Sequence, residues 1–152
     1  MHIKMTVSGI LLDPNTSSYI VLLKDEGSKN DPLPIWVGRA EGNAINFVLE
    51  GVIPPRPMTH DLLKNILDTM GIRVEKIVVT DLKNNTYYAI IHLNSNGSEI
   101  TIDSRPSDAI ALAVRMGAPI YVDDTVIKKR TAESLDRWLE NLKPEDFGKY
   151  NA

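Results

Sequence analysis

The 152-residue chain repeats itself at long range, and this constrains its fold more than any single motif. Asp13 pairs with Asp81 and Tyr19 with Tyr87, each 68 positions on, and "ILLD" lies over "VVTD" without a gap. Farther along, Ile35 pairs with Ile100 and Ala44-Ile45 with Ala109-Ile110, now 65 positions on, so the second copy has a loop three residues shorter. Two copies are too few, and the period too long, for a solenoid. Two like units sharing one core are the expected arrangement.

Each copy reads as strand, strand, strand, helix. In the first, "VSGILL" and "SYIVLL" flank the turn-forming "DPNTS", "LPIWVG" supplies a third strand, and Ala44, Ile45, Val48 and Leu49 share a helical face that Gly51 ends. In the second, strands alternate through "VEKIVVTDLKNNTYYAIIHLNSNGSEITIDS", with turns at Lys83 to Asn85 and at "NSNG", before the helix "DSRPSDAIALAVRMG" and a short strand "APIYV". Pro54, Pro55 and Pro57 forbid regular structure between the copies. A connecting helix then follows over 59–71, with Thr59 as its cap, Asp61 in its first turn, and Leu62, Leu63, Ile66, Leu67 and Met70 at helical spacing. Leu135, Trp138, Leu139 and Leu142 predict an amphipathic C-terminal helix and tail over 131–152. The expected class is α+β: a domain over 1–130, with repeat units of about 6–51 and 76–122, in which helices pack on a mostly antiparallel sheet.

Composition excludes several functions. The net charge is −3, whereas a domain that grips nucleic acid by charge neutralisation shows a basic excess, so strong backbone binding by one copy is not expected. Cysteine is absent, which removes disulfides, thiolate metal sites and a thiol nucleophile and suits a reducing cytoplasm. No segment approaches the roughly 20 apolar residues of a membrane span, so a soluble cytoplasmic protein without a membrane partner is expected. Phosphate-binding glycine loops, the dinucleotide fingerprint and the nucleophile elbow are missing, so no nucleotide or organic cofactor is expected. The basic run "KKR", Lys128 to Arg130, reads as a solvated face. Trp36, Tyr87 and Tyr88, all in strand runs, read as core or interface aromatics.

The repeat also shows where the copies differ. "GRAEGNAI" from Gly38 is replaced by "DSRPSDAI" from Asp103 in the second copy, so Glu41 lies over Pro106 and Asn43 over Asp108. Helix capping accounts for Ser104 or Ser107, Pro106 and Asp108, leaving Asp103 and Arg105 in excess. Between the copies, capping accounts for Thr59 and Asp61 and leaves Arg56 and His60. A histidine at a helix N-terminus is favoured as neutral imidazole, the form that accepts a proton or ligates a metal. The carboxylates Glu41, Asp61, Asp103 and Asp108 could form a hard oxygen site for Mg²⁺ or Mn²⁺ if the fold converges them.

The stretches "LPIWVGRAEGNAI", "PRPMTHDLL", "TYYAIIHL" and "DSRPSDAIALAVRMGAPIYV" resemble the bifunctional nuclease domain family, from about Val7 to Val126. The resemblance implies the family's fold and an activity on both RNA and DNA. Carried over by position, it marks Glu41, Arg56, Thr59, His60, Asp61, Asp103, Arg105, Ser107 and Asp108. One reading that follows is a metal-assisted phosphodiesterase. In it Asp103, Asp108 and Glu41 hold Mg²⁺ or Mn²⁺, and His60, Asp61, Asp108, Arg56 and Arg105 are catalytic. Arg56, Arg105, Thr59 and Ser107 bind substrate, and a homodimer gathers arginines into one groove. The alternative is a non-catalytic homodimeric module that binds a small anion or a protein partner at the same helix starts. In a third, the motifs only cap helices and order the proline-rich crossover.

Overall fold

The computed structural model describes residues 1–27 and 31–131. The chain runs β1 (His2–Leu12), β2 (Tyr19–Asp25), β3 (Leu33–Val37), α1 (Arg39–Leu49), α2 (Thr59–Thr69), β4 (Ile72–Lys83), β5 (Thr86–Ser95), β6 (Ser98–Ser104), α3 (Pro106–Met116), β7 (Ile120–Asp123) and α4 (Asp124–Thr131). The element order strand, strand, strand, helix therefore occurs twice, with α2 between. The amphipathic helix expected over 131–152 lies outside the described residues, apart from Thr131 at the end of α4.

All seven strands form one sheet in the order β3-β2-β1-β7-β4-β5-β6. Local sequence explains the second outer triplet. Asn84 and Asn85 both take positive φ, as do Asn96 and Gly97, and these tight turns fix the registers of β4 with β5 and of β5 with β6. The join is non-local. The four-residue strand β7 is antiparallel to β1 and parallel to β4, and so fastens the first three strands to the last three.

The helices lie on the sheet with α3 at the centre, packed against α1, α2, β4 and β5. Its sequence suits that place: Ala109, Ile110, Ala111, Leu112 and Ala113 are all buried, and four of the five are small or β-branched. Ile10, Ile35, Ile45, Ile77 and Ile110 form the fully buried heart of the core. α1 approaches β2 closely at Gly42, where an added Cβ would stand 2.6 Å from the Cβ of Tyr19. α2 is different. His60 is buried, but Leu62, Leu63, Ile66 and Met70 are exposed, so the helix packs through one narrow side and turns an apolar stripe outward. Among the described residues, no helix is long and apolar enough to cross a membrane.

An ion pair of Arg115 with Asp61 helps to fasten α2 to α3. Arg115, near the end of α3 and only 4% exposed, donates from Nε to Asp61 Oδ1 at 2.7 Å and from Nη1 to the carbonyl of Ala111 at 3.0 Å. Asp61 Oδ2 accepts the backbone N–H of Met58, the residue preceding the helix, at 2.9 Å. Thr59, expected to cap, is instead the first helical residue. Met58 holds the cap position, and the third-position carboxylate reaches back to it. The Met58 N–H and the Arg115 hydrogen bond, with the Arg115 charge, outweigh desolvation and hold the Asp61 carboxyl below the usual carboxylate range.

Gly42→Ala should lower the unfolding free energy by about 1–3 kcal/mol in urea titrations because the new methyl meets Tyr19. Gly9→Ala, with no atom within 4 Å of its added Cβ, should change it by less than about 0.5 kcal/mol. A folded-state pKa below the unfolded value adds stability above the unfolded pKa of about 3.9, and that stability is lost as pH falls through the folded pKa. Asp61→Asn should therefore cost about 1.5–3 kcal/mol at pH 7, and the gap from the parent protein should narrow in titrations as pH falls below the unfolded pKa of about 3.9.

Candidate active site

Three helix starts converge beside α3. Glu41 is the third residue of α1, His60 the second of α2, Asp108 the third of α3, and Arg105 the residue that precedes α3. Arg105 is held extended at φ −68° and ψ 144° by the turn into the helix, and Pro106 takes the first helical position that its fixed φ suits. Neither Ser104 nor Ser107 caps α3. Ser104 Oγ donates to the carbonyl of Arg105, and Ser107 is buried inside the first turn.

The four side chains form one continuous chain of contacts. Arg105 Nη2 lies 2.9 Å from Glu41 Oε1, and Arg105 Nε donates to Asp108 Oδ2 at 2.9 Å. The other Asp108 oxygen, Oδ1, lies 2.9 Å from Nε2 of His60, whose side chain is only 10% exposed. Burial acts to raise the Asp108 pKa, but the bonds from Arg105 and His60 and their charges outweigh it and leave the carboxyl lowered. Asp108 and Glu41 in turn raise the pKa of Arg105. A neutral imidazole that donates from Nε2 to Asp108 would keep its lone pair on Nδ1. Gly38 gives Glu41 room, because the place a Cβ would occupy there is filled by Glu41 Oε2.

The chain of contacts lines one side of a cavity of about 510 Å³ between α1, the start of α2 and the start of α3. Thr59 also faces it, together with Asn43 and the apolar side chains of Phe47, Met58 and Leu63. The structure thus gathers Glu41, Thr59, His60, Arg105 and Asp108 and leaves the other sequence candidates outside the lining. Asp61 borders a separate hollow of about 630 Å³ that Arg115 shares. Asp103 is exposed on β6 opposite Ile90, and Arg56 is exposed in the proline-rich loop. Ser107 is buried against the fold.

The carboxylates do not fit a divalent cation. Among the described residues, no three His, Asp or Glu side chains are grouped to hold a metal. Of the three expected ligands, Asp103 does not line the cavity, and Glu41 and Asp108 are bridged by the guanidinium of Arg105, which already supplies the positive charge between them. The basic run is also spent internally: it lies in α4, where Lys129 Nζ donates to Asp81 Oδ1 at 2.7 Å and Arg130 stands over the Trp36 ring at 5.4 Å. Sequence reasoning missed Arg115, Asn43, Phe47 and the site-facing role of Leu63. The first had a readable signal, a lone cation two helical turns beyond Asp108 in an otherwise apolar helix.

The chain matches the bifunctional nuclease domain over residues 21–134, which includes every member of the contact chain. It is 31% identical to an uncharacterized protein of Mycobacterium tuberculosis, over 95% of this chain and 97% of that one. It is also 31% identical to Bifunctional nuclease 1 of Oryza sativa and 34% identical to Bifunctional nuclease 1 of Arabidopsis thaliana, over 69% and 68% of this chain but only 33% of each plant protein. With the matched domain covering most of the sequence, this chain belongs to the bifunctional nuclease domain family.

Proposed function

We propose that the chain is a nuclease that hydrolyses phosphodiester bonds of RNA or DNA in the cavity beside α3. The observation that carries this reading is the unbroken chain Glu41, Arg105, Asp108, His60 along one cavity wall. The names of the plant relatives support the same chemistry.

In this reading Asp108 orients His60 through Nε2, so that Nδ1 takes a proton from an attacking water. The water oxygen bonds to phosphorus, the bond to the leaving oxygen breaks, and the imidazolium returns its proton to that oxygen. Arg105 meets the charge gathering on the non-bridging oxygens. Arg56, exposed two residues before Met58 at the cavity edge, makes no ion pair among the described residues and serves as an outer phosphate contact. No step passes through a metal, because the carboxylates are already committed to Arg105 and His60.

Glu41 takes on a distinct role. Its carboxylate occupies the Nη2 side of Arg105, so a phosphate must compete with it for the guanidinium. The reading also includes a homodimer. The outward stripe of α2, with Leu62, Ile66 and Met70 exposed and no charge among them, is apolar over two turns, and a second copy laid antiparallel about Ile66 would bury both stripes.

Purified protein should degrade labelled RNA or DNA oligonucleotides with EDTA present. His60→Ala should lower kcat by roughly 10²–10⁴-fold, and Asp108→Asn should lower it less. Glu41→Gln should lower KM by freeing Arg105. Full activity in His60→Ala would exclude the assigned base, and loss of all activity in EDTA would exclude the metal-free step. Sedimentation should give a dimer that Ile66→Glu converts to a folded monomer; a monomeric parent protein would exclude the pairing.

A further inference from the structure

The cavity is larger and more apolar than phosphate chemistry requires. At about 510 Å³ it falls in the range of about 300–1,000 Å³ that encloses small organic ligands. Ala40, Ala44 and Phe47 line it from α1, spaced four and three residues apart on one helical stripe. Met58 and Leu63 close it from the α2 side, and both are large apolar side chains left exposed, at 49% and 41%. A phosphate gains nothing from such a wall and loses hydration against it. A group with flat apolar faces and a polar edge gains from all of it, and Asn43, also on the lining, offers an amide that both donates and accepts.

We propose, resting on the nuclease reading, that this cavity seats the base of one unpaired nucleotide, which makes single-stranded RNA or DNA the substrate. Phe47 stacks on one face of the base, Leu63 covers the other, and Asn43 bonds its edge, while Arg105 stands beside the adjoining phosphate. A base inside a duplex is stacked and paired and must be unpaired before it can enter. Because every base presents a π-face, the seat tolerates many sequences. Binding of this kind draws on contact area and is compatible with a net charge of −3.

The test compares three fluorescein-labelled ligands by anisotropy against the full chain: a single-stranded oligonucleotide, its duplex, and an abasic strand of the same length and charge. The single strand should bind about tenfold or more tighter than either of the others, the scale of one base–aromatic stack. Phe47→Leu should remove most of that advantage and leave the abasic strand unchanged. Leu63→Ser, at an exposed position that folding tolerates, should act in the same direction if Phe47→Leu fails to fold. Equal affinity for the three ligands, or no effect of Leu63→Ser on the single strand, would overturn the seat, including the case in which a second copy covers the wall. Because anisotropy needs no turnover, the two readings separate. Base-dependent binding without cleavage upholds the seat and removes the nuclease, whereas equal cleavage of single strand and duplex keeps the nuclease and removes the seat.

Discussion

The site depends on one guanidinium that ties three helix starts together. Arg105 holds Glu41 of α1 on one side and Asp108 of α3 on the other, and Asp108 holds His60 of α2. Each helix presents the positive end of its dipole there, so two carboxylates are favoured at third positions, and the arginine keeps them from repelling one another. Placed between them, Arg105 fixes the spacing of elements far apart in sequence. The Asp61–Arg115 pair, made by the next residue of α2 to the same helix α3, adds a second tie, so His60 is located by two side-chain contacts between α2 and α3. That arrangement explains how a helix with so little of its surface buried can still carry a nearly buried histidine.

Much of the fold was legible because its signals are local. Alternating apolar residues, the Asn-rich turns and the glycines after α1, α2 and α3 each specify structure within a few residues, and they placed nearly every element of both outer triplets. What sequence did not disclose was the pairing of β7, since four residues carry no signal for which strands they join. The stripe over Leu62, Ile66 and Met70 placed the helix but not its facing. Helical periodicity reports an apolar face but not what covers it, and here that face points away from the core.

For the site, the four residues of the contact chain were among the candidates, because polar residues in excess of capping needs are visible in a sequence. Their partnerships were not. Whether Asp108 would meet a cation, a metal or a histidine depends on how α2 crosses α3, which is set by tertiary packing. The same ignorance left Asp103 and Asp61 as equals of Asp108, although one ends on an exposed strand and the other on a structural arginine. Capping chemistry was also displaced, by one residue at α2 and by one or two at α3. A methionine and an arginine hold the cap positions, and the expected hydroxyls lie inside or before the first turn.

The charge balance of the site shapes how it can bind a polyanion. Glu41 and Asp108 together cancel more than the charge of Arg105, and the chain as a whole carries −3, so the electrostatic field does not draw a nucleic acid in. A site built by charge neutralisation would release many counterions and lose affinity steeply with salt. This one exposes a single guanidinium beside an apolar wall, and under the proposed reading its affinity for a nucleic acid would come from short-range contact after encounter. The internal carboxylate then has a physical use. Glu41 keeps Arg105 paired and in place at 2.9 Å, and under the proposed nuclease reading a phosphate would displace one hydrogen-bond acceptor from a guanidinium already oriented to receive it. Preorganisation of that kind costs some binding strength and returns it as geometry, which is the balance that the proposed cleavage would require of a site that acts on a bond and then lets its product go.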